Sequence, residues 1–318
     1  APEQTVKGAV EAVNSSDEIR VILVGKQDMI AKELEKYEYA KEDIEVVHAS
    51  EIIDMGDVPT VAIKDKKDSS LVVAMRLVRE GKADALVSAG STGAVLVGGQ
   101  LVVGRLKGIK RPPLAPFIPT TKGFSLLIDC GANVDARPEH LVQFAQMGSI
   151  YYENVMGKKN PTVALLNIGT EEEKGNQLVK DTKPLMKECK NINYIGSVEA
   201  RELVSGAADV IVCEAFVGNV VLKFFEGLAL TLFGSLKEGL MSSTRTKLGA
   251  LLVKPALKGL KNQFDTSSQG GAPLLGLKGL VVKAHGNSSS KEIEIALKQC
   301  ISFKKQKINE KIKESICD

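Results

Sequence analysis

Five short segments of this chain concentrate the residue types that hold an oxyanion: hydroxyls, amides, amines and glycine backbone. The first is Ser-Ala-Gly-Ser-Thr-Gly-Ala at residues 88–94. Gly90 and Gly93 flank Ser91 and Thr92 at what reads as a strand-to-helix turn. A helix start presents free N–H groups and the positive end of its dipole, and small residues let an anion reach them. The same residues fit a tight turn with an N-cap and close helix–sheet packing, and the loop alone leaves both open. The second segment, 129–135, supplies Asp129, Asn133 and Asp135. The third, 167–176, supplies Asn167, Lys174 and Asn176; Glu171 to Glu173 beside them also suit a plain helix start with a solvated Lys174. The fourth puts Asn219 at a helix start with Lys223 one turn later. The fifth, 283–289, puts His285 and Asn287 in a glycine-bearing turn, where a histidine can equally be structural or solvated. Together these groups suit phosphate or a tetrahedral oxyanion, and they show no Ser–His–Asp order and no metal-ligand spacing. Cys213, at a strand end near Asn219, keeps a thiol nucleophile open as an alternative.

The elements around these segments position them. Apolar runs at 19–25, 44–49, 84–88, 124–128, 162–167 and 208–213 read as strands. Helical patterns at 30–40 and 68–83 lie between them, and the alternation predicts a mainly parallel sheet covered by helices. Sites in such sheets lie beyond the C-terminal ends of the strands, which is where the five segments fall. The uncharged run 85–104 is long enough to span a membrane, but its glycines and hydroxyls make it strand, loop and buried helix. Residues 228–264 break the rhythm. They are helical and amphipathic, interrupted around Ser242–Ser243 and at Pro255, and read as an inserted helical pair. Between 235 and 262 stand Lys237, Arg245, Lys247, Lys254, Lys258 and Lys261 against Glu238. Leu251, Leu252 and Leu257 among these cations suit a helix lying on anionic lipid; dimer packing and docking of an acidic carrier protein are the alternatives.

Composition narrows the class. The 318 residues are 44% hydrophobic, enough for a sizeable core, with a net charge of +3. Neither that charge nor the 4% aromatic content, with no Trp, argues for nucleic acid. Cys130, Cys189, Cys213, Cys300 and Cys317 are scattered, as free thiols in a reducing cytoplasm are. No signal peptide is read in the opening residues.

Six blocks make a resemblance specific: 66–94, 129–151, 165–176, 213–227, 270–276 and 283–289. In this order they resemble the phosphate acyltransferases of bacterial phospholipid synthesis, the PlsX family, over nearly the whole chain. Two departures stand out. Ser91 occupies the place of an Asn in the family's glycine loop, and the family has a strand and an Asp-Ala-Met-Gly-Gly-Asp-His segment before the position of Ala1.

The resemblance implies a three-layer α/β/α fold similar to phosphate acetyltransferase and isocitrate dehydrogenase, as one α/β domain over 1–318 with the helical insertion at 228–264. It implies transfer of a long acyl group from acyl carrier protein to inorganic phosphate, in a homodimer; the scattered thiols and the cationic helix add the expectation of a cytoplasmic protein peripherally associated with the membrane. No cofactor or metal is implied. The roles that follow are Gly90, Ser91, Thr92, Gly93, Asn133, Asn167 and Asn176 for phosphate, and Lys174 for charge neutralisation. Asn219 would serve the oxyanion, and His285 would orient phosphate or protonate the leaving thiolate. A coenzyme A-dependent phosphate acetyltransferase and a non-catalytic membrane-associated phosphate-binding scaffold are the alternatives.

Overall fold

The computed structural model describes residues 2–264 and 269–316, without the Lys261 side chain; Cys317 lies outside the described residues. Helix α1 (Glu3–Asn14) leads into β1 (Val21–Gly25), α2 (Gln27–Leu34) and β2 (Ile44–His48). Next come α3 (Pro59–Asp65), α4 (Ser70–Arg79), β3 (Ala85–Ser88) and α5 (Thr92–Gly98), which runs on as a π-helical turn, Gly99–Val103. The hairpin β4 (Phe117–Thr120) and β5 (Gly123–Ile128) precedes α6 (Pro138–Met156), β6 (Thr162–Asn167), α7 (Gln177–Glu188), β7 (Asn193–Glu199) and β8 (Val210–Val212). The long helices α8 (Ala215–Met241) and α9 (Thr244–Gln263) follow, then β9 (Ala272–Leu274), β10 (Leu280–Lys283), α10 (Ser290–Lys305) and α11 (Ile308–Ile316).

The largest sheet has the order β4-β5-β8-β6-β7, parallel except for β4. A second sheet, β3-β10-β9, pairs β3 and β10 in parallel, and β1 pairs with β2 in parallel. The strands of the largest sheet are apolar throughout because both faces are covered. Leu126 and Ile128 of β5 pack with Phe144 and Tyr151 of α6, while Leu127 faces Ala164, Leu203 and Ile211 on the other side. Leu280 and Val282 of β10 share the α6 core, so one apolar interior joins the two larger sheets. Val281 points the other way, toward Met75 of α4 and Val95 of α5. The result is the three-layer α/β/α arrangement. β1 and β3 both line a cavity of about 2020 Å³, through residues such as Val21, Leu23, Ala85 and Val87.

Three local readings change. The helix expected at 30–40 is Gln27–Leu34 and closes in turns where the Tyr37 hydroxyl bonds Glu33. The first long helix begins at Ala215, directly after β8, and not at 228. The break at Ser242–Ser243 is present, with the Ser243 hydroxyl capping α9 through the Thr246 N–H at 3.2 Å. Pro255 interrupts nothing: α9 continues through it at an exposed position, where water can satisfy the carbonyl freed by the missing N–H.

Candidate active site

All five segments leave the C-terminal edges of parallel strands. Ser91 is the N-cap of α5, buried, with its hydroxyl 3.5 Å from the Ala94 N–H. The two glycines of this turn have different reasons. A Cβ on Gly93 would stand 2.7 Å from Cγ of Pro59 on α3, so close helix packing demands it. Gly90 is exposed, and its N–H donates to Ser88 Oγ at 3.2 Å. Thr92 is half-buried at the first helical position.

At the end of β5, Asp129 is fully buried and holds its loop together. Oδ1 accepts from the N–H groups of Leu114 and Gly131, both at 2.7 Å, and Oδ2 accepts from Asn133 Nδ2 at 2.6 Å. Burial lifts this carboxyl to about 6, against the pull of those donors. Asn133 also donates to the Pro112 carbonyl at 3.0 Å, so its amide is a brace. Asp129→Ala leaves several buried donors without an acceptor. At roughly 1–3 kcal/mol for such a group, a loss of at least about 3 kcal/mol is expected as a lower denaturation midpoint. An unchanged midpoint would show that water replaces the carboxylate.

The 167–176 loop is braced in the same way. Asn167 Nδ2 donates to the carbonyls of Gly169 at 2.9 Å and Lys174 at 3.1 Å, and Asn176 caps α7 by accepting from Val179 N–H at 3.0 Å. Lys183 of α7, buried, donates to the carbonyls of Glu171, Glu172 and Lys174. These partners leave the Lys174 side chain exposed. Sequence reading missed Lys183, and the signal was there: it sits with Val179 and Met186 on the buried stripe of α7, where a lysine is out of place.

Between β8 and α8, Cys213 is buried, and burial among neighbouring carboxylates pushes its thiol well above the usual range. That environment opposes the thiolate a nucleophile needs. The Glu214 carboxylate caps α8. A Cβ on Gly218 would come within 1.9 Å of the Asp129 carbonyl oxygen, so the helix start rests directly on the β5 loop. Asn219 follows, half-exposed, and Lys223 one turn on pairs with Glu226 at 2.9 Å.

At the end of β10, Lys283 is in register with Ser88, and the Ala284 N–H donates to the Ser88 carbonyl at 2.9 Å. His285 and Asn287 occupy an exposed turn in which the Asn287 N–H donates to His285 Nδ1 at 3.3 Å. Gly90, Ser91 and Asn287 line one end of the cavity between β1 and β3. The structure therefore joins the 88–93 and 283–288 segments side by side, and the 129–135 and 213–219 segments likewise. Gly131, whose Cβ would lie 3.2 Å from Leu96 of α5, links the two pairs. Lys283 is a second residue that sequence reading passed over: it is 8% exposed, and burial together with the charge of Lys223 lowers its ammonium to about 8. Among the described residues no three His, Cys, Asp or Glu side chains stand together as a metal site.

The profile of the fatty acid synthesis protein family matches residues 1–311. A phosphate acyltransferase of Alkaliphilus oremlandii is 54% identical over 316 residues, which are 99% of this chain and 94% of that protein. Its counterpart in Clostridium acetobutylicum is 50% identical, covering 98% of this chain and 94% of the relative. In fold, the chain is similar to a phosphotransacetylase from Streptococcus pyogenes (TM-score 0.66, 17% identity, 95% and 91% of the two chains covered). A branched-chain phosphotransacylase from Enterococcus faecalis gives a TM-score of 0.58 at 17% identity, with 95% of each chain covered. The chain belongs to the fatty acid synthesis protein family, the family of the curated phosphate acyltransferases.

Proposed function

We propose that this enzyme transfers a long-chain acyl group from an acyl carrier protein thioester to inorganic phosphate, giving an acyl phosphate for phospholipid synthesis. The observation that carries acyl transfer to phosphate is the 54% identity to a phosphate acyltransferase over 99% of the chain. The carrier protein as donor is the finer part of the reading. A phosphate oxygen attacks the thioester carbonyl carbon, the C–S bond of the tetrahedral intermediate breaks, and the electron pair leaves on sulfur, which takes up a proton. Phosphate dianion is already a nucleophile, so holding it against the thioester is the main task, and positioning contributes about 7–11 kcal/mol. Ser91, Thr92 and the backbone at the start of α5 hold phosphate. Asn219 donates to the developing oxyanion, and His285 orients phosphate or protonates the thiolate. Asn133, Asn167 and Asn176 act through the loops they brace.

Mass detection of acyl phosphate tests this reading, with long-chain acyl carrier protein, acetyl-coenzyme A or no donor supplied beside phosphate. Product from the carrier thioester alone supports it. Product from acetyl-coenzyme A alone favours the reading suggested by the phosphotransacetylase fold, and no product from either leaves a binding scaffold.

We further propose a peripheral site on an anionic membrane and a homodimer, and exposed apolar faces of the two long helices favour this reading. Phe216, Val220, Phe224 and Leu228 of α8 are exposed at four-residue spacing, one apolar stripe that a second copy would cover. By length and composition alone α8 could also cross a membrane. On α9, Leu251 and Leu252 are 67% and 83% exposed between the exposed Lys247, Lys254 and Lys258, whereas Leu257 is half-buried. On this reading Leu251 and Leu252 are the pair that would face lipid. L251E with L252E is expected to abolish sedimentation with anionic vesicles while activity on soluble substrates stays within about twofold. Retained vesicle binding would place the anchor elsewhere, and dissociation to monomer would assign this face to the dimer.

A further inference from the structure

Exposed apolar side chains gather beside the two turns that the structure joins, 88–93 and 283–288. Ile52, Met55 and Val58 are 53%, 70% and 61% exposed, and Val61 on the first turn of α3 continues the row. Single exposed apolar residues are ordinary, but a row of them on a fixed support marks a contact surface. The support here is built. The Lys66 ammonium donates to the Ile52 carbonyl at 2.9 Å and pairs with the Asp57 carboxylate. Asp57 in turn accepts from the Asp54 N–H at 2.8 Å, which closes the turn that carries Met55. Just upstream, Asp68 accepts from the Ser50 N–H at 2.8 Å, and Glu51 accepts from the Asp68 N–H at 2.9 Å. Side chains displayed from such a loop lose little further freedom when something covers them.

The row lies against the candidate site. The Met55 methyl stands 3.4 Å from where a Cβ on Gly286 would be, and the Ala89 carbonyl oxygen stands 3.8 Å from the same point. Met55 therefore covers the seam between the two turns. Val58 occupies the N-cap position of α3, whose Pro59 ring takes the space that Gly93 leaves free. Ile52 lines the same cavity as Gly90, Ser91 and Asn287. The inside of that cavity is a poor place for hydrocarbon. Every residue of β1 and of β3 lines it, and among the described residues β1 pairs only with β2, and β3 only with β10. The other edges of these strands offer backbone N–H and C=O groups that an alkyl chain cannot satisfy. The row at 52–61 offers side chains instead, and methionine adapts well to a flexible alkyl chain. Its few side chains also fall far short of the roughly 800 Å² per partner of a specific protein interface, which favours a slender ligand over a second copy.

We propose that Ile52, Met55 and Val58 seat the acyl chain of the thioester donor, laid along the loop before α3 while the thioester carbonyl enters the joined turns. The assignment rests on the acyl-transfer reading above and adds where the hydrocarbon goes. It involves no covalent step: burial of apolar surface holds the chain, so longer chains that cover more of the row bind more tightly.

The test compares the double variant Ile52→Ser with Met55→Ser against wild type, on palmitoyl and butyryl thioesters of one carrier protein. Both side chains are exposed, so thermal unfolding should match wild type. The KM for the palmitoyl thioester should rise about tenfold or more, as for losing the cover of two apolar side chains, with the butyryl and phosphate KM values within about twofold. Met55→Leu, of similar volume, should keep the wild-type chain preference. An unchanged palmitoyl KM overturns the proposal, and so does an equal rise for both thioesters. A change of oligomeric state in the double variant gives the face to a subunit contact, and the proposal falls. Should the double variant unfold early, Met55→Ser alone decides on the same readout. A wild type that makes no palmitoyl phosphate from the carrier thioester ends the reaction reading instead. Binding of palmitoyl-coenzyme A then decides: weaker binding by the double variant supports the acyl seat, and equal binding by both proteins overturns it.

Discussion

Asn219→Ala is expected to lower kcat on the order of 10²–10³-fold, as removal of one oxyanion donor does. The side chain is half-exposed in the first turns of α8, beside the loop of β5 and on the helix face that carries Lys223. Alanine suits a helix, so the fold should hold and thermal unfolding should be close to wild type. The loss should fall in kcat, because the donor acts on charge that develops only in the transition state. Steady-state rates with saturating acyl donor and phosphate check this. Turnover within a few-fold of wild type would move the oxyanion donor elsewhere, with the N–H groups at the start of α5 the next candidates.

Gly218→Ala carries the second large effect, and it acts through Asn219. A Cβ there would sit 1.9 Å from the Asp129 carbonyl oxygen and 3.0 Å from Cys213 Sγ. The first contact is with backbone, which has no rotamer to swing away, so α8 or the β5 loop must shift. Overpacking of this kind costs about 1–3 kcal/mol or more. A shift of even about 1 Å at Asn219 can lower turnover on the order of 10²-fold. Gly227→Ala is the internal control: it lies on the same helix with nothing within 4 Å of where the added methyl would stand, and gains up to about 1 kcal/mol from helix propensity. Denaturant midpoints and kcat for both variants are the measurement. A Gly218→Ala protein with wild-type midpoint and turnover would mean that the close seat of α8 on the loop is dispensable.

The sequence by itself determined most of the parallel strands, though not β4, β7 or β9, the strand ends at which the polar segments lie, and the family. Runs such as Leu126-Leu127-Ile128 are apolar without alternation because helices cover both faces of the sheet, and that pattern is visible in one dimension. The Ser242–Ser243 break was legible for the same reason: a cap acts on the N–H three residues ahead. What only the tertiary structure decided was the task of each polar side chain. Asn133, Asn167 and Asn219 are one residue type at similar strand or helix ends, and the partners that separate them lie elsewhere. Asn133 is a brace because the Pro112 carbonyl and the Asp129 carboxylate meet it, and Asn167 because its loop folds back over it. Gly93 answers to Pro59 and Gly218 to Asp129, contacts created by packing between distant segments. Lys283 looks like any strand-end lysine until the pairing of β10 with β3 and the packing around it bury its ammonium. Hydrophobic period and local capping are properties of neighbours along the chain; burial of a charge and the partner of an amide are properties of neighbours in space.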